Sequence, residues 1–282
     1  MSGYNPAMVG PGTQPVDDDG ATLQYMEMPK GMHTYSAPML PEPEETEGIE
    51  QALDVLATVR AAAEAQAADA PPSVFDITGL DAKNRAFVDQ VLCDGEVSVV
   101  AGSSIQAQES VFAGVWRLHH VDEHGILQRD VIEVGGFPVS VIAAANEAAL
   151  EGMRAHRGPL PSGVINAPAL VTELDDRLVA HRPGAPAHVV NLSLLPLSEE
   201  DVAFLDERLG PGSVTILSRG YGNCRITSTG TRNAWWVRYF NSRDAVVLNT
   251  IEVVDVPSVA CAAREDLADS AQRIGEVLEV YR

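Results

Sequence analysis

Two stretches, LDAKNRAFVDQVLCDGEVSVV at Leu80 to Val100 and LSEEDVAFLDERLGPGSVTIL at Leu197 to Leu217, align without a gap. Ala86 matches Ala203, Phe87 matches Phe204, Asp89 matches Asp206, Leu92 matches Leu209, Gly95 matches Gly212 and Val97 matches Val214. The register returns further on: Trp116 meets Trp235, Ile132-Glu133-Val134 meets Ile251-Glu252-Val253, Pro138 meets Pro257 and Ala143-Ala144 meets Ala262-Ala263. Matches kept in this order over so long a span indicate an internal repeat, so the fold is expected to be built from two similar units.

Alternation and turn signals make each unit a strand, a helix, three strands and a closing helix. In the second unit these fall at His188 to Leu195, Glu199 to Leu209, Ser213 to Ser218, Ala234 to Phe240, Val246 to Val253 and Val259 to Tyr281. Ser198 followed by Glu199, Glu200 and Asp201 reads as an N-cap with acids in the first turn, Gly210-Pro211-Gly212 stops the helix, and Asp81 caps the matching helix in the first unit. Successive strands on short loops pair antiparallel, so the expected class is α+β: two tandem copies of a β-α-β-β-β-α unit with mixed, mostly antiparallel sheets, packed about a local twofold axis. Leu267, Ala271, Ile274, Leu278 and Tyr281 form one stripe of the last helix and should pack on the sheet.

The expected divisions are an arm at residues 1–50, a first unit with a leading helix at 51–156, a linker at 157–187 with a short helix near Ala169 to Ala180, and a second unit at 188–282. The leading helix, Glu50 to Ala68, buries one face through Leu53, Leu56 and Val59. The arm is Gly-, Pro- and Met-rich, carries Asp17-Asp18-Asp19 and Pro41-Glu42-Pro43-Glu44-Glu45, lacks apolar periodicity, and reads as a disordered acidic segment. Two readings of it stand: a solvated tail, or a partner-binding arm using the adaptable side chains of Met26, Met28, Met32 and Met39 with Tyr35.

Forty acidic residues against 19 Lys and Arg give a net charge of -21, which repels nucleic acid and anionic lipid. The start at Met1-Ser2-Gly3-Tyr4 has neither the basic residues nor the apolar run of a secretory signal, and no segment reaches membrane-spanning length. The expectation is a cytoplasmic protein without membrane insertion. Cys93, Cys224 and Cys261 are an odd set without CxxC spacing, which argues against a disulfide framework.

The units diverge most between Gly102 to Ser110 (GSSIQAQES) and Arg219 to Thr229 (RGYGNCRITST), read as connecting loops, where the second unit gains about two residues. Here Arg219, Gly220, Tyr221, Gly222, Asn223, Cys224 and Arg225 form the candidate functional loop. Its glycines and Asn permit unusual backbone angles, and the two arginines flanking Cys224 would favour its thiolate. Cys224 is thus either a functional thiol or a small apolar filler. Cys261, placed near the start of the last helix, is the second candidate thiol, and packing is the stronger reading for it. His119, His120 and His124 surround a hairpin turn with Asp122 and Glu123, but strand neighbours point to opposite faces, so no metal site is assigned. The Gly220-Tyr221-Gly222 stretch lacks the Gly-Lys-Ser/Thr ending of a phosphate loop, and no catalytic constellation is found.

Asn191 to Ser198 (NLSLLPLS), Ser218 to Ile226 (SRGYGNCRI), Trp236 to Asn241 (WVRYFN) and Asn249 to Pro257 (NTIEVVDVP) resemble the C-terminal region of the HupH/HyaF/HoxQ hydrogenase expression and formation proteins. Met32 to Glu45 (MHTYSAPMLPEPEE) resembles that family's N-terminal element. The resemblance implies an accessory chaperone for maturation of a nickel-iron uptake hydrogenase, partnered with the iron-sulfur small subunit precursor before export and with other maturation factors. It supplies no catalytic residues, and no resident cofactor is expected. The alternatives are an iron-sulfur cluster carrier or protector using Cys224 and Cys261, and a thiol enzyme with His181 or His188 as base.

Overall fold

The computed structural model describes residues 47–147, 149–220 and 222–281. The arm, with Met26, Met28, Met32, Tyr35 and Met39, lies outside them, as does Tyr221. In chain order the elements are α1 (Glu50–Ala67), β1 (Ser73–Asp76), α2 (Ala82–Leu92), β2 (Val97–Ala101), β3 (Ile105–Glu109), β4 (Val115–Val121), β5 (Leu127–Val134) and α3 (Val139–Glu147). There follow α4 (Ala167–Ala180), β6 (His188–Asn191), α5 (Glu199–Leu209), β7 (Pro211–Ser218), β8 (Asn223–Thr229), β9 (Ala234–Phe240), β10 (Val246–Val253) and α6 (Arg264–Val280).

The class is α+β, with a single ten-stranded sheet where separate, partly mixed sheets were expected. Its order is β1-β5-β4-β3-β2-β7-β8-β9-β10-β6, and every neighbouring pair of strands is antiparallel. Read outward from the central β2–β7 pair, both wings carry their strands in the same chain order. Each wing also has one strand more than expected after its helix, because β3 and β8 occupy stretches read as loops. The Gly and Arg signals at 219–222 obscured the short alternation that follows, in which Cys224, Ile226 and Ser228 are buried and Asn223 and Arg225 exposed.

The expected caps form. Asp81 accepts from the backbone N–H of Lys83 and Asn84, and Ser198 makes a capping box with Asp201. The matched Gly95 and Gly212 let backbone approach closely: a Cβ at either would lie 2.3 Å from Ser110 O or Ser228 Oγ. Matched Trp116 and Trp235 are both buried, and their indole N–H groups donate to Gly135 O and Val254 O, each at 3.2 Å.

Other elements are shorter than read. The expected strand at His188 to Leu195 ends at Asn191, and a 3-10 turn follows at Leu192–Leu194. The expected helix from Val259 starts only at Arg264, after a 3-10 turn at Ser258–Ala260. Cys261 therefore lies outside the last helix, at the end of the 3-10 turn before it.

Three apolar clusters fill the layers. On one face, α1, α2 and α6 cover one wing through Leu56, Val59, Phe87, Ile132, Val134, Ala271 and Ile274. On the same face, α4 and α5 cover the other wing through Leu174, Phe204, Leu205, Trp236 and Ile251. The opposite face holds the third cluster, including Val99, Trp116, Leu118, Val141, Ile216, Ile226 and Trp235. The stripe of α6 is buried as expected, but against α1 in the other half of the chain.

Candidate functional site

On β2, β3, β7 and β8 burial alternates strictly enough to assign each side chain to a face. Val97, Val99, Ala107, Val214, Ile216, Cys224 and Ile226 point into the third cluster. Ser98, Val100, Gln106, Thr215, Leu217, Asn223 and Arg225 are half-buried or exposed on the other side. The middle of the sheet is thus open on one face, between the two helical layers, which suits an antiparallel sheet with one dry and one wet side.

At the end of this strip a cleft of about 420 Å³ is lined by Leu217, Ser218, Arg219, Asn223, Cys224, Arg225, Phe240 and Asp244. Most of the candidate loop lies here, with Gly222 at φ +97° turning the chain into β8. Of the two readings of Cys224, the expectation that its flanking arginines favour the thiolate is corrected, and the burial fits the apolar filler. Neighbours on a strand face opposite ways, so the Cys224 side chain enters the core while Arg225 stays on the open face. Cys224 is only 3% exposed and stands across from Tyr239. Burial pushes its thiol up to about 11, with Glu252 adding to the rise and a hydrogen bond with Tyr239 opposing it. Burial likewise raises Tyr239 to about 12 and raises Glu252 from its ordinary value, against the hydrogen bond from Thr250. Burial thus disfavours ionisation of both Cys224 and Tyr239, the reverse of an activated thiol.

Cys261 has exposed surface, but its Sγ donates to Pro257 O at 3.6 Å, and burial, then the charge of Glu109, pushes the thiol up to about 12. Cys93 is exposed, and its thiol is raised by burial and by Asp94. Iodoacetamide at pH 8 is therefore expected to modify Cys224 at least tenfold more slowly in the native chain than in urea. Mass analysis of the alkylated peptides checks this, and rapid native labelling of Cys224 would contradict it.

The two histidines considered as bases are engaged elsewhere. His181 Nε2 lies 2.8 Å from Asp255 Oδ1, and His188 Nε2 lies 2.7 Å from Glu173 Oε1. His119 lies 3.5 Å from Asp130, while His124 reaches Glu123 at 3.5 Å. Among the described residues no group of three or more His, Cys, Asp or Glu is placed to hold a metal ion. No described helix is long and apolar enough to cross a membrane.

The open face adds a residue that sequence reasoning missed, Arg238, as neighbour of the candidate Arg225. Arg225 on β8 stands directly across from Arg238 on β9. Arg225 Cζ lies 5.8 Å from the centre of the Phe240 ring, and Arg238 Cζ lies 4.5 Å from that of Trp236. Among the described residues no carboxylate lies within ion-pair distance of either guanidinium. At the matching positions of the first wing, set by Trp116 against Trp235, Gln106 faces His119, so the arginine pair has no counterpart there. The alternation of NCRITST and AWWVRYF would have put both arginines on one face, but only the strand register makes them neighbours.

A family profile described as HupH hydrogenase expression protein, C-terminal conserved region, matches twice, at residues 49–156 and 164–281. The chain therefore belongs to the HupH/HoxQ/HyaF family of hydrogenase expression/formation proteins. It is 50% identical to the hydrogenase expression/formation protein HupH of Rhodobacter capsulatus over 98% of this chain and 97% of that one. It is 47% identical to HoxQ of Cupriavidus necator over 96% and 95% of the two chains, and 32% identical to the hydrogenase-1 operon protein HyaF of Escherichia coli over 96% and 95%. A solved structure, hydrogenase expression protein HupH from Thiobacillus denitrificans, is 32% identical, covers 40% of this chain and 93% of its own, and superposes with a TM-score of 0.36.

Proposed function

We propose that this protein is a non-enzymatic assembly chaperone in nickel-iron hydrogenase maturation, and that it binds the iron-sulfur small subunit before export. The observation that carries the reading is the open strip of the central sheet, a continuous polar and apolar surface between two helical layers, with Val100 52% and Leu217 37% exposed. Such a face suits a protein client better than an enclosed substrate. The high thiol pKa values of Cys224 and Cys261 weigh against both cluster carriage and thiol catalysis, since each role uses the thiolate. The Met-rich arm would add adaptable contacts to the same client.

Two copies of one unit remain our account of the wings, supported by the two profile matches and the palindromic strand order. Superposing residues 73–147 on 188–280 tests the duplication. For function, the affinity-tagged chain purified from cells making a nickel-iron hydrogenase is expected to bring down the small subunit, identified by mass spectrometry, and more of it when cluster assembly is blocked. Recovery of the large subunit alone would sink the proposal.

A further inference from the structure

We propose that Arg225 and Arg238 form a receptor for the carboxylates of an acidic, extended segment of a partner polypeptide laid along the open strip. Two like charges directly opposite on neighbouring strands repel, and each is normally answered by a carboxylate. This chain carries 40 acidic residues against 19 Lys and Arg, yet neither guanidinium has an acidic partner within ion-pair distance among the described residues. The matching pair of the first wing, Gln106 and His119, carries no guanidinium, so the facing arginines are particular to the second wing.

Aromatic rings accompany the pair. Trp236 lies 4.5 Å from the Arg238 guanidinium and Phe240 5.8 Å from that of Arg225, within cation–π range, and a planar guanidinium so placed suits bidentate bonding to a carboxylate. Arg238 is partly desolvated, which strengthens its attraction for an incoming anion and lowers its pKa; the charge of Asp206 opposes this and Arg225 opposite adds to it. Leu217, next to Arg225 across the β7–β8 pair, gives an apolar contact of the kind a peptide supplies between its acids. A net charge of -21 opposes docking of a long polyanion, so a few carboxylates spaced on a peptide fit better than nucleic acid.

This inference rests on the reading of the protein as a client-binding chaperone, and its test separates the two. The full chain is titrated with a fluorescent peptide of alternating Glu and Val, with the same peptide carrying Gln for Glu, and with free glutarate. The Glu peptide is expected to bind at least about tenfold more tightly than the Gln peptide, and the preference should weaken with salt. Arg225→Gln with Arg238→Gln should abolish the preference without lowering thermal stability, because the exchange removes a repulsion. Arg60→Gln on α1 should change neither. Equal binding of both peptides, equal affinity for glutarate, or a large loss of stability in the double variant would each overturn the site.

Small-subunit recovery by the tagged double variant supplies the link to the chaperone reading. A loss parallel to the peptide result supports the inference, and wild-type recovery overturns it while leaving the chaperone reading intact. If neither chain recovers the subunit but the peptide preference persists and depends on the arginines, the carboxylate receptor stands and the chaperone reading falls.

Discussion

Asp201→Ala is expected to destabilise the protein by roughly 3–5 kcal/mol, a large part of the stability of an ordinary domain. The Asp201 side chain is fully buried and is the acceptor for two helix starts at once. Its Oδ1 takes the backbone N–H groups of Ile165, Asn166 and Ala167 at 2.8 to 2.9 Å, ahead of and at the first turn of α4. Its Oδ2 takes Ser198 N at 3.2 Å in the capping box of α5. Alanine strands these donors away from water and loosens both helices that cover the β6–β10–β9 wing. Burial alone would raise its pKa, but the backbone donors outweigh it and bring the carboxyl to about 2.

The folded pKa of Asp201 lies below its ordinary value of 3.8, so its stabilisation is present above about pH 4 and is lost as pH falls toward 2. Asp201→Asn keeps an acceptor and should cost less than the alanine change while flattening that acid limb. Urea unfolding at pH 7 and pH 3 measures both effects. An alanine variant within about 1 kcal/mol of wild type would show that these contacts do not hold the helices.

Glu109→Gln is expected to act in the opposite direction, raising stability above pH 7 by on the order of 3 kcal/mol. Glu109 is 8% exposed, and its carboxylate accepts a hydrogen bond from Gly114 N at 3.1 Å. Burial pushes its pKa up to about 7, the Gly114 N–H bond opposes this, and Glu96 and Asp266 push the same way as burial. Between pH 4.5 and 7 the unfolded chain gives up this proton and the folded chain keeps it. Wild-type stability from this group is therefore complete below about pH 4.5, falls as pH rises, and levels off above 7. Gln carries no titrating proton, so the variant should match wild type near pH 4.5 and exceed it at pH 8. Thermal melts at the two pH values check the sign, and equal differences at both would mean that Glu109 is ionised in the fold.

Much of the local structure was legible from short-range chemistry. Asp81 and Ser198 announce helix starts because a side-chain oxygen beside a helical run has few better partners than the free N–H groups that follow. The matching Gly95 and Gly212 mark equivalent places where two backbones come within reach of each other. Asn84 and Asp201 hold the same alignment position, and each ties its helix to the one before it: Asn84 accepts from Ala52 N on α1 as Asp201 does from Ala167 N on α4. Their pairing carried no identity to notice, since one wing uses an amide and the other a carboxylate.

What the sequence by itself determined was the α+β class, the order of most elements, the caps, the acidic balance and the family. Those follow from periodicity, turn chemistry and residue identity, which act within a few positions of the chain. Only the tertiary structure decided that the strands join into one sheet through β2 and β7, that α6 crosses to cover the other half, and that Cys224 faces the core while Arg225 faces the open strip. A cysteine between two arginines in sequence looks activated, but strand alternation turns its side chain away from Arg225, and desolvation then controls its proton. The Arg225–Arg238 pair likewise exists only through the register of β8 on β9, because strand pairing brings together residues whose separation along the chain contains no trace of their contact.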